Sequence, residues 1–451
     1  MSEHETCFEI AAGNLRFGPH ATEEVGQDAA ALGLKRVLLF TDRVVRGLPP
    51  FETTCRSLRQ AGIAFDVFDA VRIEPSEASF QQAIDAAASA AYDGFVAVGG
   101  GSTIDTAKAA NLYATWPADF LTYVNAPLGE GKPVPGPLRP LIAIPTTAGT
   151  GSEATGVAIF DCLSVKAKTG IAHRRLRPTL GIVDPENLRT LPRLVAASSG
   201  IDVICHALES YTAIPYTARQ RPAGPLLRPA YQGSNPVADV WSLQALRLAA
   251  QYLPRLCADP SDAEARQAMG LAAAYAGIGF GNAGVHLCHG MSYPVSSLVR
   301  AYRAPGYPQD HPLVPHGISV ALCAPAVFRF TGCAAPQRHL EALAALSGRS
   351  VRAVAEEVPA GQAGEALAQE VAGWIRRLGL PNGLAALGFT REDAPALARG
   401  TLPQHRVTRL SPRPADESDL QRLFEASLEI WPAASSHASG SGAAARASSS
   451  G

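Results

Sequence analysis

The stretch "GFVAVGGGSTIDTAKAANLYA" (94–114) decides the fold. Residues 94–98 form a short apolar run of strand length. Gly99, Gly100 and Gly101 follow, and Ser102 opens a segment with helical periodicity. Glycines let backbone approach an anion, and the unpaired N–H groups at a helix start carry partial positive charge. This is the geometry that binds a pyrophosphate. Asp105 stands at N3 counted from Ser102, a capping-box spacing.

The same alternation extends in both directions. "RVLLFTD" (36–42), "AFDVFDAV" (64–71) and "PLIAIPTT" (140–147) read as strands, and "SFQQAIDAAASAAYD" (79–93) as a helix. Strands alternating with helices predict a parallel sheet covered on both faces, an α/β Rossmann-like arrangement. After "GIVDPENLRTLP" (181–192) the texture becomes Ala/Leu-rich and helical: "RLVAASSGIDVICHALESYTA", "VADVWSLQALRLAAQYLPRL", "AEARQAMGLAAAYAGIGFGNAGVHLCHGMS" and "GEALAQEVAGWIRRLGL". The expected organisation is an α/β nucleotide domain over 1–190 and an all-α domain over 191–432. A low-complexity tail over 433–451 is expected to be disordered. Residues 219–236, rich in Pro, Gly and Arg, read as a long loop within the helical half.

Composition narrows the function. The 451 residues are 47% apolar and 18% charged with net charge −1, so no global field recruits nucleic acid or an anionic membrane. No segment has the run of roughly 20 apolar residues that a membrane helix needs. The N-terminus has neither a secretory pattern nor an Arg-rich import pattern, which predicts a cytoplasmic protein. Eight scattered cysteines without a C-x-x-C pair predict reduced thiols. The sequence leaves a homo-oligomer open.

Two further clues lie at strand ends. Asp42 closes "VLLFTD", where a carboxylate can accept from a ribose diol and repel a 2′-phosphate, favouring NAD over NADP. "PTTAGTGSE" (145–153) puts hydroxyls and glycines where a parallel sheet holds its ligand crevice. In the helical half, Asp202 and His206 stand at i and i+4 on an apolar face. A buried carboxylate there needs a partner or a metal. His286 and His289 are expected to share a helical face, at i and i+3. His311 and His316 sit in "DHPLVPH". Spacing does not choose among these histidines. One carboxylate with three imidazoles suits Fe(II) or Zn(II).

Together "GGGSTIDTAK" (99–108), "IPTTAGTGSE" (144–153), "GIDVICHALES" (200–210), "HGMSYP" (289–294) and "PHG" (315–317) resemble the iron-containing (group III) alcohol dehydrogenase family. "RPAYQGSNP" (228–236), "AGIGFGNAGVHLCHGMSYPVS" (276–296), "DHPLVPHG" (310–317) and "GTLPQHRVTRLSP" (400–412) are similar to its hydroxyacid–oxoacid transhydrogenase branch. The resemblance implies metal ligands at Asp202, His206, His289 and His316, with Fe(II) ahead of Zn(II). It implies NAD contacts at Asp42, Gly100, Gly101, Ser102, Thr146, Thr147, Gly149, Thr150, Thr155 and Lys168, Thr146 and Thr147 positioning the nicotinamide. It also implies Lewis-acid activation of a hydroxyl, then hydride transfer from 4-hydroxybutyrate to 2-oxoglutarate through NAD that stays bound.

The chain departs from the ordinary family pattern at Tyr293, where a histidine usually serves as proton relay, and in the long insertion 298–314. Tyr293 is expected to act on the substrate. His286 is a ligand's partner, a substrate contact or a core residue. Arg228, Arg300, Arg303 and Arg406 are candidates for holding a substrate carboxylate. Alternatives are an alcohol dehydrogenase with freely exchanging NAD, or a metal-dependent lyase of the dehydroquinate synthase-like fold.

Overall fold

A computed structural model describes residues 3–163 and 167–432. The expected tail, 433–451, lies outside the described residues. The strands are β1 (Asn14–Phe17), β2 (Arg36–Phe40), β3 (Ala64–Phe68), β4 (Gly94–Gly99), β5 (Leu141–Pro145), β6 (Val157–Cys162), β7 (Ala167–Ala172) and β8 (Leu180–Val183). Six of them form one sheet in the order β1-β8-β5-β4-β2-β3, with every pairing parallel. The helices among them are α1 (Val25–Ala31), α2 (Pro49–Gln60), α3 (Glu77–Ala88) and α4 (Gly101–Thr115). Beyond β8 every regular element among the described residues is helical: α5 (Arg193–Thr212), α6 (Pro236–Ala258), α7 (Ala263–Ala283), α8 (Leu287–Ser297), α9 (His316–Thr331), α10 (Pro336–Ser347), α11 (Val351–Glu357), α12 (Ala363–Arg377), α13 (Ala394–Thr401), α14 (His405–Thr408) and α15 (Glu417–Ala426). The α/β sheet followed by helices matches the expectation.

β4 is buried at every residue, which is why its side chains alternate so little in polarity. The chain leaves β2 for β3 on one side and then takes up β4 on the other. That reversal opens a crevice at the strands' carboxyl ends, where α/β sheets hold ligands. Asp42 and the three glycines both lie there.

Three local expectations change. The helix after β4 starts at Gly101 with Gly100 as N-cap, so Asp105 stands beyond N3 and makes no capping box. It turns instead to the crevice loop, bonding Ser152 Oγ and accepting from the Ile159 amide at 2.9 Å. The pattern read as one helix across 263–292 breaks at Gly284, whose φ is 96°. A Cβ there would stand 2.3 Å from Leu410 Cδ1 and 2.9 Å from Tyr231 Cβ. His286 therefore precedes α8 as its N-cap and does not share a helical face with His289. Last, β6 and β7 pair antiparallel as a separate hairpin with Asp161 opposite Lys168, an element the sequence reading did not single out.

Candidate active site

α5 carries Asp202 and His206, α8 carries His289, and α9 begins at His316. One ligand atom from each of the four lies within 4.8 Å of all the others. They do not satisfy one another. Asp202 Oδ2 is 3.8 Å from His206 Nδ1, and Asp202 Oδ1 is 3.6 Å from His289 Nε2, both too long for hydrogen bonds. Asp202 Oδ1, His206 Nδ1 and His289 Nε2 are buried without a partner. Orphaned buried donors and acceptors are rare, and three of them converging with His316 on a common centre fit a cation. Burial pushes the Asp202 carboxyl up to about 7 and the His316 imidazole down to about 3. Neutral imidazoles are the form that coordinates a metal. His206 stacks on Phe280, ring centroids 4.0 Å apart, which fixes its plane.

Glu209, which the sequence reading missed, organises His289. It lies seven residues past Asp202 on α5 and is wholly buried. Its Oε1 accepts from the amides of His286 (2.9 Å) and Cys288 (2.7 Å), satisfying the buried start of α8. Its Oε2 bonds His289 Nδ1. That bond holds the proton on Nδ1 and leaves Nε2 facing Asp202. Burial would raise the Glu209 carboxyl, but the His289 and His286 rings outweigh it and hold it below the usual range. His286 contacts Thr212 Oγ1 at 2.9 Å and Glu209 Oε1 at 3.3 Å, so it supports the site from behind. His311 sits apart, beside Asp310.

The quartet lines a cavity of about 100 Å³ together with Gly101, Ser102, Thr150, Thr155, Lys168, Tyr231, Phe280 and Tyr293. The start of α4 therefore opens into the space that holds the quartet. Asp42, Gly100, Thr146, Thr147 and Gly149 lie along the same crevice but do not line this cavity. Asp42 Oδ1 already accepts from the amides of Val44 (2.8 Å) and Val45 (2.9 Å). Gly101 is constrained by packing: a Cβ would meet Thr150 Cγ2 at 2.5 Å.

Two buried lysines brace the crevice. Lys108, on α4, donates to Ser152 Oγ (2.6 Å) and to the Val157 carbonyl (2.8 Å). Lys168, on β7, is paired with Glu74 (2.6 Å) and Asp161 (3.2 Å). The amide of Glu74 donates to Ser102 Oγ at 3.1 Å, and its side chain lines the cavity together with His316. Glu74 thus ties the nucleotide crevice to the start of α9. Nothing in "RIEP" marked it, because its neighbours come from β7, α4 and α9.

Residues 12–185 match the iron-containing alcohol dehydrogenase family, and residues 230–428 match the C-terminal region of Fe-containing alcohol dehydrogenases. The chain belongs to the iron-containing alcohol dehydrogenase family. It is therefore an oxidoreductase. Among curated members, "Hydroxyacid-oxoacid transhydrogenase, mitochondrial" of Rattus norvegicus is 55% identical over 94% of this chain and 90% of its own length. The human protein of that name is 54% identical with the same coverage. Of solved family structures, a 1,3-propanediol oxidoreductase superposes with a TM-score of 0.80 at 27% identity, covering 94% of this chain and 100% of its own. The alcohol dehydrogenase from Oenococcus oeni also gives 0.80, at 25% identity and 93% and 100% coverage. These findings leave the lyase alternative unsupported.

The cytoplasmic expectation is corrected by the same relatives, which are named as mitochondrial. Compartment is read from targeting segments by receptors and leaves no trace in the charge or composition of a folded core. No helix among the described residues is long and apolar enough to cross a membrane.

Proposed function

We propose that this chain transfers hydride from a hydroxy acid to an oxo acid through a retained NAD, with 4-hydroxybutyrate as donor and 2-oxoglutarate as acceptor. One observation carries the reading: a single cavity is lined both by the donor quartet and by the start of α4. The name borne by relatives at 55% identity supports the substrate pair. Asp202, His206, His289 and His316 would hold a divalent ion, Fe(II) ahead of Zn(II), which supplies Lewis acidity toward the substrate oxygen. Gly101, Ser102, Thr150, Thr155 and Lys168 would line the nicotinamide end of NAD, which accepts and returns the hydride. Asp42 Oδ2 remains for the ribose, and Gly100, Thr146, Thr147 and Gly149 complete the crevice around the dinucleotide.

In the reaction 4-hydroxybutyrate loses a hydride and a proton and becomes succinate semialdehyde. 2-Oxoglutarate gains both and becomes 2-hydroxyglutarate. The balance closes without free cofactor and without net proton release. This suits a site with a phenol, Tyr293, at the position of the family's usual relay histidine, since its hydroxyl can donate a hydrogen bond to a carboxylate. Purified protein with no added NAD should convert the pair with ping-pong kinetics. If product forms only with stoichiometric turnover of free NAD, the chain is an ordinary NAD-dependent alcohol dehydrogenase.

A further inference from the structure

Four arginines were candidates for an acidic substrate, and three have other partners. Arg228 pairs with Glu5 at 2.9 Å. Arg300 forks onto Asp393 at 2.7 and 2.8 Å. Arg303, exposed, donates to the carbonyls of Gln309 and Ala301. Arg406 differs. Among the described residues it has no carboxylate partner. Its Nη2 donates to the Tyr293 hydroxyl at 2.8 Å, and its guanidinium carbon lies 4.9 Å from the centre of the Tyr231 ring. Its Nη1 is shut from solvent and bonds to none of the described residues. A partly desolvated cation without an anion is costly unless a ligand supplies one.

We propose that Arg406, with the phenols of Tyr231 and Tyr293, receives the carboxylate of the substrate at the end remote from the reacting carbon. Both phenols line the cavity of the donor quartet. Because Tyr293 accepts from Arg406, its own O–H is free to donate into that cavity. Tyr293 also stands four residues after His289 on α8, on the same face and one turn away. A helical turn rises ~5.4 Å. An extended 4-hydroxybutyrate spans roughly 5 Å from its hydroxyl oxygen to its carboxyl carbon, given bonds of ~1.5 Å.

The chemistry of the pair fits one receptor. In 4-hydroxybutyrate two methylenes separate the reacting carbon from the carboxyl carbon. In 2-oxoglutarate two methylenes separate the reacting C2 from the distal carboxyl C5. Donor and acceptor thus present the same spacing between reacting carbon and acid. One cation, set behind Tyr293 in an adjoining cavity that Tyr293 also lines, serves both half-reactions and selects against neutral alcohols of equal length.

This inference rests on the transhydrogenase reading, because it takes the substrates to be acids. The test therefore includes a ligand that undergoes no reaction. Succinate carries a carboxylate at each end of the same two-methylene spacer, and its binding to the full-length holoenzyme can be followed by calorimetry. Arg406→Gln should raise its Kd at least ~30-fold, as expected for loss of a charge-assisted contact. It should also lower the ratio of kcat/KM for 4-hydroxybutyrate to that for 1-butanol about 100-fold, with Arg406→Lys recovering part of the loss. Tyr231→Phe, which keeps the ring against the guanidinium, should lower the same ratio about tenfold. The proposal is overturned if wild type binds no succinate, if Arg406→Gln leaves succinate binding unmoved, or if acid and alcohol activities fall together. Oxo-acid reduction without added NAD tests the transhydrogenase reading separately, so either can fail while the other stands.

Discussion

Replacing Glu209 by glutamine keeps the side chain's length but removes the charge that closes the start of α8 and orients His289. The four donors would stay in place while the His289 ring loses its fixed tautomer. Glu209→Gln should weaken metal binding about 10–100-fold, measured by chelator competition, with near-native circular dichroism. An unchanged affinity would remove Glu209 from the support of the site. At Tyr293 the expectation is a split. Tyr293→Phe should raise KM for 4-hydroxybutyrate about tenfold and change kcat less than about threefold, because one hydrogen bond to a charged partner is lost. A large fall in kcat at unchanged KM would put the phenol in the chemistry instead. Asp202 and His206 were legible because their i, i+4 spacing survives in any helix. His286 and His289 were not separable, because the break at Gly284 that parts them is a tertiary event. Glu209 was a buried acid on the same helix as the quartet's first two members, a signal present in "HALES" but not read.

At the scale of elements, the turn at Gly284 sets the course of α8. Gly284→Ala would place a methyl against Leu410 and Tyr231 in a backbone region that costs L-residues energy. A loss of about 2–4 kcal/mol is expected, seen as a lowered Tm, with activity falling further because His289 is re-aimed. A variant of wild-type Tm and activity would show that α8 is placed by its packing alone. The N-terminal segment is a second case. Glu5 pairs with Arg228, and its backbone bonds residue Arg219 at 2.8 Å, pinning the 219–236 loop whose end delivers Tyr231. The hydrogen bond from Arg228 holds the Glu5 carboxyl at about 2, below its usual 4.5. A depressed carboxylate stabilises the fold above the unfolded pKa and loses that contribution as pH falls from about 4.5 through 2. Glu5→Gln should therefore lower Tm at pH 7, and its deficit against wild type should shrink toward pH 2. A deficit independent of pH would mean that the pair contributes nothing through charge. β4 and α4 were legible because strand, glycines and helix follow one another directly. The β6–β7 hairpin was not. "AKTGIA" holds one β-branched aliphatic among small and polar residues, and its lysine is explained only by Glu74 and Asp161 across the fold.

The whole molecule joins a parallel sheet to a helical body through residues that face one cavity from both sides. The class of each half was legible from periodicity alone. Periodicity does not give their juxtaposition, which only the family resemblance implies, and Glu74 gains meaning only when distant segments meet. Gln404 donates to the Lys168 carbonyl at 3.0 Å, so the segment carrying Arg406 returns to the hairpin of the first half. That return has a consequence for the chain during synthesis. The last member of the donor quartet is His316, whereas Arg406 is made 90 residues later (406 − 316). At ~5–20 residues per second the ribosome needs roughly 5–20 s to cover that interval. A nascent chain thus has every donor for its ion before it has the group that recognises an acid, and selectivity is the last property the growing polypeptide acquires.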